Sequence, residues 1–177
     1  MIIFTGVAGS GKSVQGKMLA DYLGLPWLST GEFLRMLISG ERRKDMLAGK
    51  LIEDKEIISL VQKIFNVVDT KTEFILDGFP RTVAQADWLL NQAKHGQLKL
   101  TAVVNLKADK KAVRKRLLAR GRQDDTESAI EERFKEYNNS ILPILEHFKD
   151  AGVPIHDITA DQEVDIVQRS IRKQLKV

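Results

Sequence analysis

Gly6-Val7-Ala8-Gly9-Ser10-Gly11-Lys12-Ser13 places glycines, a lysine and a hydroxyl at the spacing G-x-x-x-x-G-K-[ST], directly after the apolar stretch Ile2-Ile3-Phe4. That spacing suits polyphosphate binding. Glycines let successive backbone N–H groups turn toward a phosphate chain, and a following helix adds the positive end of its dipole. Lys12 then bridges the β- and γ-phosphates, and Ser13 ligates Mg²⁺. A plain glycine-rich turn is the bland alternative, but the gap-free match between an apolar strand and a helical pattern favours a nucleoside triphosphate ligand. Further on, Phe74-Ile75-Leu76-Asp77-Gly78-Phe79-Pro80-Arg81 ends an apolar run on a carboxylate. Alone, an Asp-Gly pair reads as a turn; behind a phosphate cradle, Asp77 reads as the group that organises Mg²⁺, partly through water.

The elements that must position these groups alternate between apolar segments of strand length and longer helical patterns. That is the signature of a parallel sheet covered on both faces, a three-layer α/β/α arrangement. Strands are predicted over Ile2 to Thr5, Pro26 to Ser29, Glu73 to Leu76, Leu98 to Leu106 and Pro154 to Ile158. Apolar faces at helical spacing run through Val14, Met18, Leu19, Tyr22 and Leu23, and again through Ile57, Leu60, Val61, Ile64, Phe65 and Val68. A long helix from about Thr126 to Phe148 contains Pro143, which predicts a kink there. Val164, Val167, Ile171 and Leu175 predict a closing amphipathic helix. Thr30 to Gly49, with its charged segment Gly40 to Asp45, and Arg120 to Asp125 fit the sheet poorly and read as covers over a site.

The 177 residues, 43% of them hydrophobic, suffice for one sizeable core, so a single domain over 1–177 is expected. The absence of cysteine excludes a disulfide framework and any Cys-ligated zinc. His95, His147 and His156 show no ligand spacing and read as surface residues. Apolar runs fall short of a membrane span, and the few residues before Gly6 leave no room for a leader, so a cytoplasmic protein without membrane partners is expected. The net charge of +4 is spread among 24 acidic residues rather than gathered into a tail. It reads as a phosphate pocket, with nucleic-acid binding the weaker alternative.

Four segments in order resemble the adenylate kinase family: the cradle, Leu28-Ser29-Thr30-Gly31-Glu32-Phe33-Leu34-Arg35, Asp77-Gly78-Phe79-Pro80-Arg81-Thr82-Val83-Ala84-Gln85, and Arg120-Gly121-Arg122-Gln123-Asp124-Asp125 with Arg133 beyond. The resemblance runs from Met1 to about Phe148. It implies a P-loop NTPase fold with a five-stranded parallel sheet of order 2-3-1-4-5, a monophosphate-binding insert at about 30–59 and a lid at about 120–126. The implied reaction is reversible transfer of the γ-phosphoryl group of MgATP to AMP, giving two ADP, by a monomer with Mg²⁺ and no zinc. On matching positions, Gly6, Gly9, Ser10, Gly11, Lys12, Ser13, Val14, Arg116 and Arg120 correspond to ATP contacts, Arg116 stacking on adenine. Thr30, Gly31, Arg35, Gly78, Arg81, Gln85, Arg122 and Arg133 correspond to AMP contacts. Lys12, Arg81, Arg120, Arg122 and Arg133 gather around the transferring phosphoryl group, with Asp124 and Asp125 as lid aspartates. Such a set suits phosphoryl transfer, which needs positive charge around equatorial oxygens and exclusion of water. Thr30 and Gln85 stand where the family reads the adenine of AMP; UMP/CMP kinases resemble Ala and Asn there.

Taken singly, Arg116 and Arg120 also fit a solvated helix face, Arg133 an ion pair with neighbouring glutamates, and Asp124 or Asp125 a helix cap. Ser29 with Glu32 and Thr82 with Gln85 have capping-box spacing of their own. The chain departs from the family pattern in three places. The cradle has Val7-Ala8 and Ser13-Val14 where the family has G-P and G-T, while keeping glycines 6, 9 and 11. Gly49 to Asp54 stands where G-x-L-V-P is common. Only Gly121 separates Arg120 from Arg122, a lid shorter than those of short-lid members, and weaker shielding from water is expected. A UMP/CMP or small-metabolite kinase, a P-loop ATPase or switch, and an inactive nucleotide-binding scaffold are the competing readings. For a GTPase switch, Asn105-Leu106-Lys107-Ala108-Asp109 has one residue too many to be a guanine-reading N-K-x-D.

Overall fold

The structure, a computed structural model, describes residues 1–37, 53–121 and 126–177, without the side chains at 35, 120, 129 and 136. Its sheet is built from β1 (Ile2–Gly6), β2 (Trp27–Ser29), β3 (Ile75–Asp77), β4 (Ala102–Lys107) and β5 (Ile155–Thr159). All pairings are parallel and the order is β2-β3-β1-β4-β5. The helices, numbered among the described residues, are α1 (Lys12–Leu23), α2 (Thr30–Leu37), α3 (Asp54–Phe65), α4 (Val83–Lys94), α5 (Lys110–Arg120), α6 (Glu127–Glu136), α7 (Leu142–Asp150) and α8 (Val164–Leu175). None is long and apolar enough to cross a membrane.

Side chains alternate across a strand, so a sheet buried on both faces sorts its apolar residues into two cores. Ile3, Leu76 and Val103 pack with Val61 and Ile64 of α3, Leu89 of α4 and Phe148 of α7. Ile2, Phe4, Ile75 and Val104 face the other way, onto Leu19 of α1 and Val167 and Ile171 of α8. A third cluster, Val7, Val113, Leu117 and Ile130, lies beneath the phosphate loop and joins it to α5 and α6.

Four local expectations are corrected. The predicted strand Leu98 to Leu106 begins only at Ala102; Leu98 is buried, but as part of the loop that closes the first core. The strand predicted from Glu73 begins at Ile75, and the one predicted from Pro26 begins at Trp27, although the Pro26 carbonyl accepts from the Ile75 amide at 2.9 Å. The long helix runs without a break from Glu127 to Asp150, but it is not α-helical throughout. Residues Tyr137–Ile141 form a π-helical turn that joins α6 to α7, and Pro143 follows just after, so its missing N–H falls where the ladder of backbone hydrogen bonds is already widened. The wider turn carries Tyr137 to the sheet, and its hydroxyl donates to Asn105 Oδ1 at 3.0 Å. Of the two suspected covers, 38–52 and 122–125 lie outside the described residues.

Candidate active site

A parallel sheet collects the carboxyl ends of its strands along one edge, where ligands of open α/β sheets bind. The loop after β1 occupies that edge. Gly6, Gly9 and Gly11 have φ of 138°, 88° and 99°, a region that disfavours other residues. At Gly6 a Cβ would lie 2.5 Å from the Leu106 carbonyl oxygen, and at Gly9 one would lie 2.8 Å from Leu117 Cγ. Gly6 and Gly9 are thus required by conformation and by close packing against β4 and α5, and Gly11 by conformation alone. Lys12 Nζ donates to the carbonyls of Gly6 at 2.8 Å and Val7 at 3.0 Å, which folds the ammonium over the loop. Ser10 Oγ is buried with no hydrogen-bond partner among the described residues. Val14 is half exposed at the start of α1.

Ser13 Oγ donates to Asp77 Oδ2 at 2.6 Å. The expected metal pair is therefore in contact, joining the start of α1 to the end of β3 through two hard oxygens of the kind Mg²⁺ prefers. No group of three or more His, Asp or Glu side chains gathers among the described residues. This donor set fits a cation that keeps most of its water, rather than an all-protein cage.

Beside this pair lies a second cluster. Thr30, buried at the start of α2, donates through Oγ1 to the Asp77 carbonyl at 3.2 Å. Gly78, with φ of 82°, sits so close that a Cβ would be 3.1 Å from Thr30 Oγ1 and 3.8 Å from both the Gly31 amide nitrogen and Arg81 Nη2. Arg81 Nε donates to the Gly78 carbonyl at 3.1 Å, and the side chain is exposed. Thr30, Gly31, Gly78 and Arg81 are thus brought together as predicted. Gln85 belongs to the same cluster and is 3% exposed. Its amide N–H donates to Thr82 Oγ1 at 3.2 Å, forming the cap of α4, while its Oε1 accepts from the Arg81 amide at 2.8 Å. The Ser29 cap is looser, with the Glu32 amide 3.4 Å from Ser29 Oγ.

Arg116 is on α5, its Nη2 3.4 Å from the Gln162 carbonyl oxygen, so the chain before α8 forms part of its surroundings. Arg133 lies half buried in the last turn of α6. Arg35 and Arg120 fall in α2 and at the end of α5, but their side chains, and all of Arg122, Asp124 and Asp125, lie outside the described residues. Two groups escaped the sequence. Asp54 opens α3 and accepts at Oδ1 from Gln85 Nε2 at 2.7 Å and from Thr82 Oγ1 at 3.0 Å. An acidic residue at a helix start reads simply as a dipole partner, so no signal marks its reach to α4. The chain Tyr137–Asn105–Asp157–Lys107 was missed too, because it joins four residues through strand register. Asn105 Nδ2 donates to Asp157 Oδ1 at 2.8 Å, and Lys107 Nζ lies 2.5 Å from Asp157 Oδ2.

The adenylate kinase family model matches residues 4–153. Among curated proteins, an adenylate kinase of Corynebacterium aurimucosum is 38% identical, covering 86% of this chain and 88% of its own length. Adenylate kinase 1 of Synechocystis sp. is 35% identical over 99% of this chain and 96% of its own. An adenylate kinase of Rhizobium meliloti is 35% identical, covering 92% and 97%. A glycine loop after β1, a serine–aspartate pair and a second polar cluster after β3, all on one sheet edge, agree with these similarities: the chain belongs to the adenylate kinase family and is a nucleoside monophosphate kinase, a phosphotransferase.

Proposed function

We propose that this chain moves the γ-phosphoryl group of MgATP to AMP and back, with two ADP as product. The observation that carries the reading is the adjacency of two clusters on β3: Asp77 faces the triphosphate loop, and Gly78 and Arg81, a few residues on, face Thr30 and Gly31. A phosphate oxygen of AMP forms a new bond to the γ-phosphorus while the bond to the β–γ bridging oxygen breaks, and the leaving ADP takes that electron pair. The protein's work is positioning and charge stabilisation. The phosphate loop amides and Lys12 hold the β- and γ-phosphates. Arg81 and Arg35 hold the monophosphate, and Arg120, Arg122 and Arg133 stand around the moving group. Arg116 takes the ATP adenine, while Thr30 and Gln85 read the acceptor base. Ser13 and Asp77 would hold Mg²⁺, partly through water, and when bound it would neutralise phosphate charge.

The insert at about 30–59 and the short lid at about 120–126, with Asp124 and Asp125, complete the reading as covers over one domain. With acidic residues interspersed among the basic ones, it is that of a cytoplasmic monomer acting on small nucleotides, without nucleic-acid or membrane partners. A coupled assay of ATP consumption with AMP, CMP, UMP, GMP or no acceptor tests it. AMP is expected to give the highest kcat/KM; a faster reaction with CMP or UMP overturns the assignment.

A further inference from the structure

A glutamine side chain is nearly symmetric in shape and opposite in polarity at its two ends, so what it can read depends on which way its carboxamide is turned. Both ends of Gln85 are tied. Oε1 accepts from the Arg81 backbone amide at 2.8 Å, and Nε2 donates to Asp54 Oδ1 at 2.7 Å. A backbone N–H only donates and a carboxylate only accepts. A turned carboxamide would therefore set oxygen against oxygen and N–H against N–H, in a residue 3% exposed, where water offers no compensation. Thr82 cannot substitute for Asp54: its hydroxyl accepts from the Gln85 amide at 3.2 Å and donates its proton to Asp54 at 3.0 Å. Each end of the carboxamide keeps one unused position, a lone pair on Oε1 and a hydrogen on Nε2.

We infer that Asp54 is a specificity-determining positioning residue, whose carboxylate fixes the acceptor–donor order that Gln85 presents to the base of the monophosphate. The inference rests on the reading of Gln85 as the base contact. Adenine presents an amino donor beside a ring-nitrogen acceptor, whereas a 6-oxopurine presents an oxygen acceptor beside an N–H donor. With the carboxamide locked, one order pairs and the reverse order leaves buried groups unmatched, the situation in which polar discrimination is strongest. The lock spans two elements: Asp54 stands on the first turn of α3, at the end of the proposed insert, and Gln85 on α4.

Calorimetric titration of AMP, IMP and ATP into the full chain and its variants tests this. The wild type is expected to bind AMP more tightly than IMP. Asp54→Ala is expected to narrow the AMP-to-IMP affinity ratio by about tenfold, the effect of one lost charge-assisted hydrogen bond, with ATP affinity unchanged. Asp54→Ser, which keeps a polar group at the helix start but withdraws the acceptor from Gln85, is expected to do the same and serves if the alanine variant does not fold. Asp54→Asn retains an acceptor oxygen and is expected to restore the ratio. In a Gln85→Ala background, Asp54→Ala is expected to add nothing. Folded Ala or Ser variants that keep the wild-type ratio, or that lose AMP and IMP affinity equally, overturn the inference while leaving the AMP reading intact. So does an Asn variant as unselective as the alanine one. A wild type that binds AMP and IMP alike overturns the reading of the base contact and this inference with it.

Discussion

Lys12 shows how far a single residue is dictated by its neighbours in sequence. Its ammonium bridges the Gly6 and Val7 carbonyls because a lysine on the first turn of α1 curls back over the loop that precedes it. Lys12→Met removes a preorganised positive charge and is expected to lower kcat by on the order of 10²-fold or more. Steady-state kinetics on protein verified by circular dichroism checks this, and near-normal turnover would falsify the role. At Gly9 the constraint is steric. Gly9→Val forces a side chain onto Leu117 at a φ of 88°, and a displaced loop with at least tenfold weaker ATP binding, roughly 1.4 kcal/mol, is the expected result of titration. For Gln85→Ala, KM for AMP is expected to rise by about 5- to 150-fold, the equivalent of the ~1–3 kcal/mol of an unmatched polar group, with ATP binding nearly intact. The glycines and Lys12 were legible in the sequence because their job is local. The role of Asp54 was not, since 31 positions separate it from Gln85 and nothing in either segment names the other.

Among the elements, the strands and the helices α1, α3 and α8 followed from apolar spacing, whereas α4 and α5 were not marked by it and the ends of most elements depended on contacts. The π-helical turn at Tyr137–Ile141 is an instance: periodicity runs through it unbroken, yet the backbone widens just before Pro143, where Tyr137 meets Asn105. That hydrogen bond leads into the β4–β5 ladder at the register pairs Asn105 with Asp157 and Lys107 with Thr159. Burial pushes the Asp157 carboxyl up, but hydrogen bonds from Lys107 and Asn105 outweigh it and hold its pKa below the ordinary value. The hydrogen bond to Asp157 raises that of Lys107 against a smaller opposing effect of burial. Asp157 therefore contributes stability above the usual aspartate pKa, and that contribution is lost as pH falls through its depressed folded value. The Lys107 contribution is complete below the usual lysine pKa and is lost as pH rises through its raised one. Both side chains are about half exposed, 56% and 50%, so the pair is worth only roughly 0.2–1 kcal/mol. Asp157→Asn is expected to flatten the acid limb of stability against pH, measured by urea unfolding; an unchanged slope below the ordinary aspartate pKa would show that the pair is energetically silent.

At the scale of the whole molecule, the proposed reaction requires that water be kept from the phosphoryl group, since closure both strengthens the electrostatics and prevents hydrolysis. With one residue between Arg120 and Arg122, the lid proposed here has little length for that task. A higher ratio of AMP-independent ATP hydrolysis to phosphoryl transfer is expected than in a relative with a full-length lid. ADP release measured with and without AMP, in this chain and in a variant carrying a grafted longer lid loop, checks it. An unchanged ratio after grafting means that lid length does not control water access, and directs attention to Arg42-Arg43-Lys44 as the cover.

The sequence by itself determined the glycine-rich loop, the α/β class, the family and the residue types of both candidate clusters, because each is written in contiguous segments whose chemistry is local. Strand order came with the family resemblance, since neither periodicity nor composition says which strand lies beside which. Tertiary structure alone decided which side chains meet. Parallel register brings Asn105 to Asp157, the loop after β1 and the start of α1 bring Ser13 to Asp77, α3 delivers Asp54 to Gln85, and α5 packs under Gly9. These pairings depend on how elements dock against one another, and docking is set by the shapes of two buried cores rather than by any short run of residues.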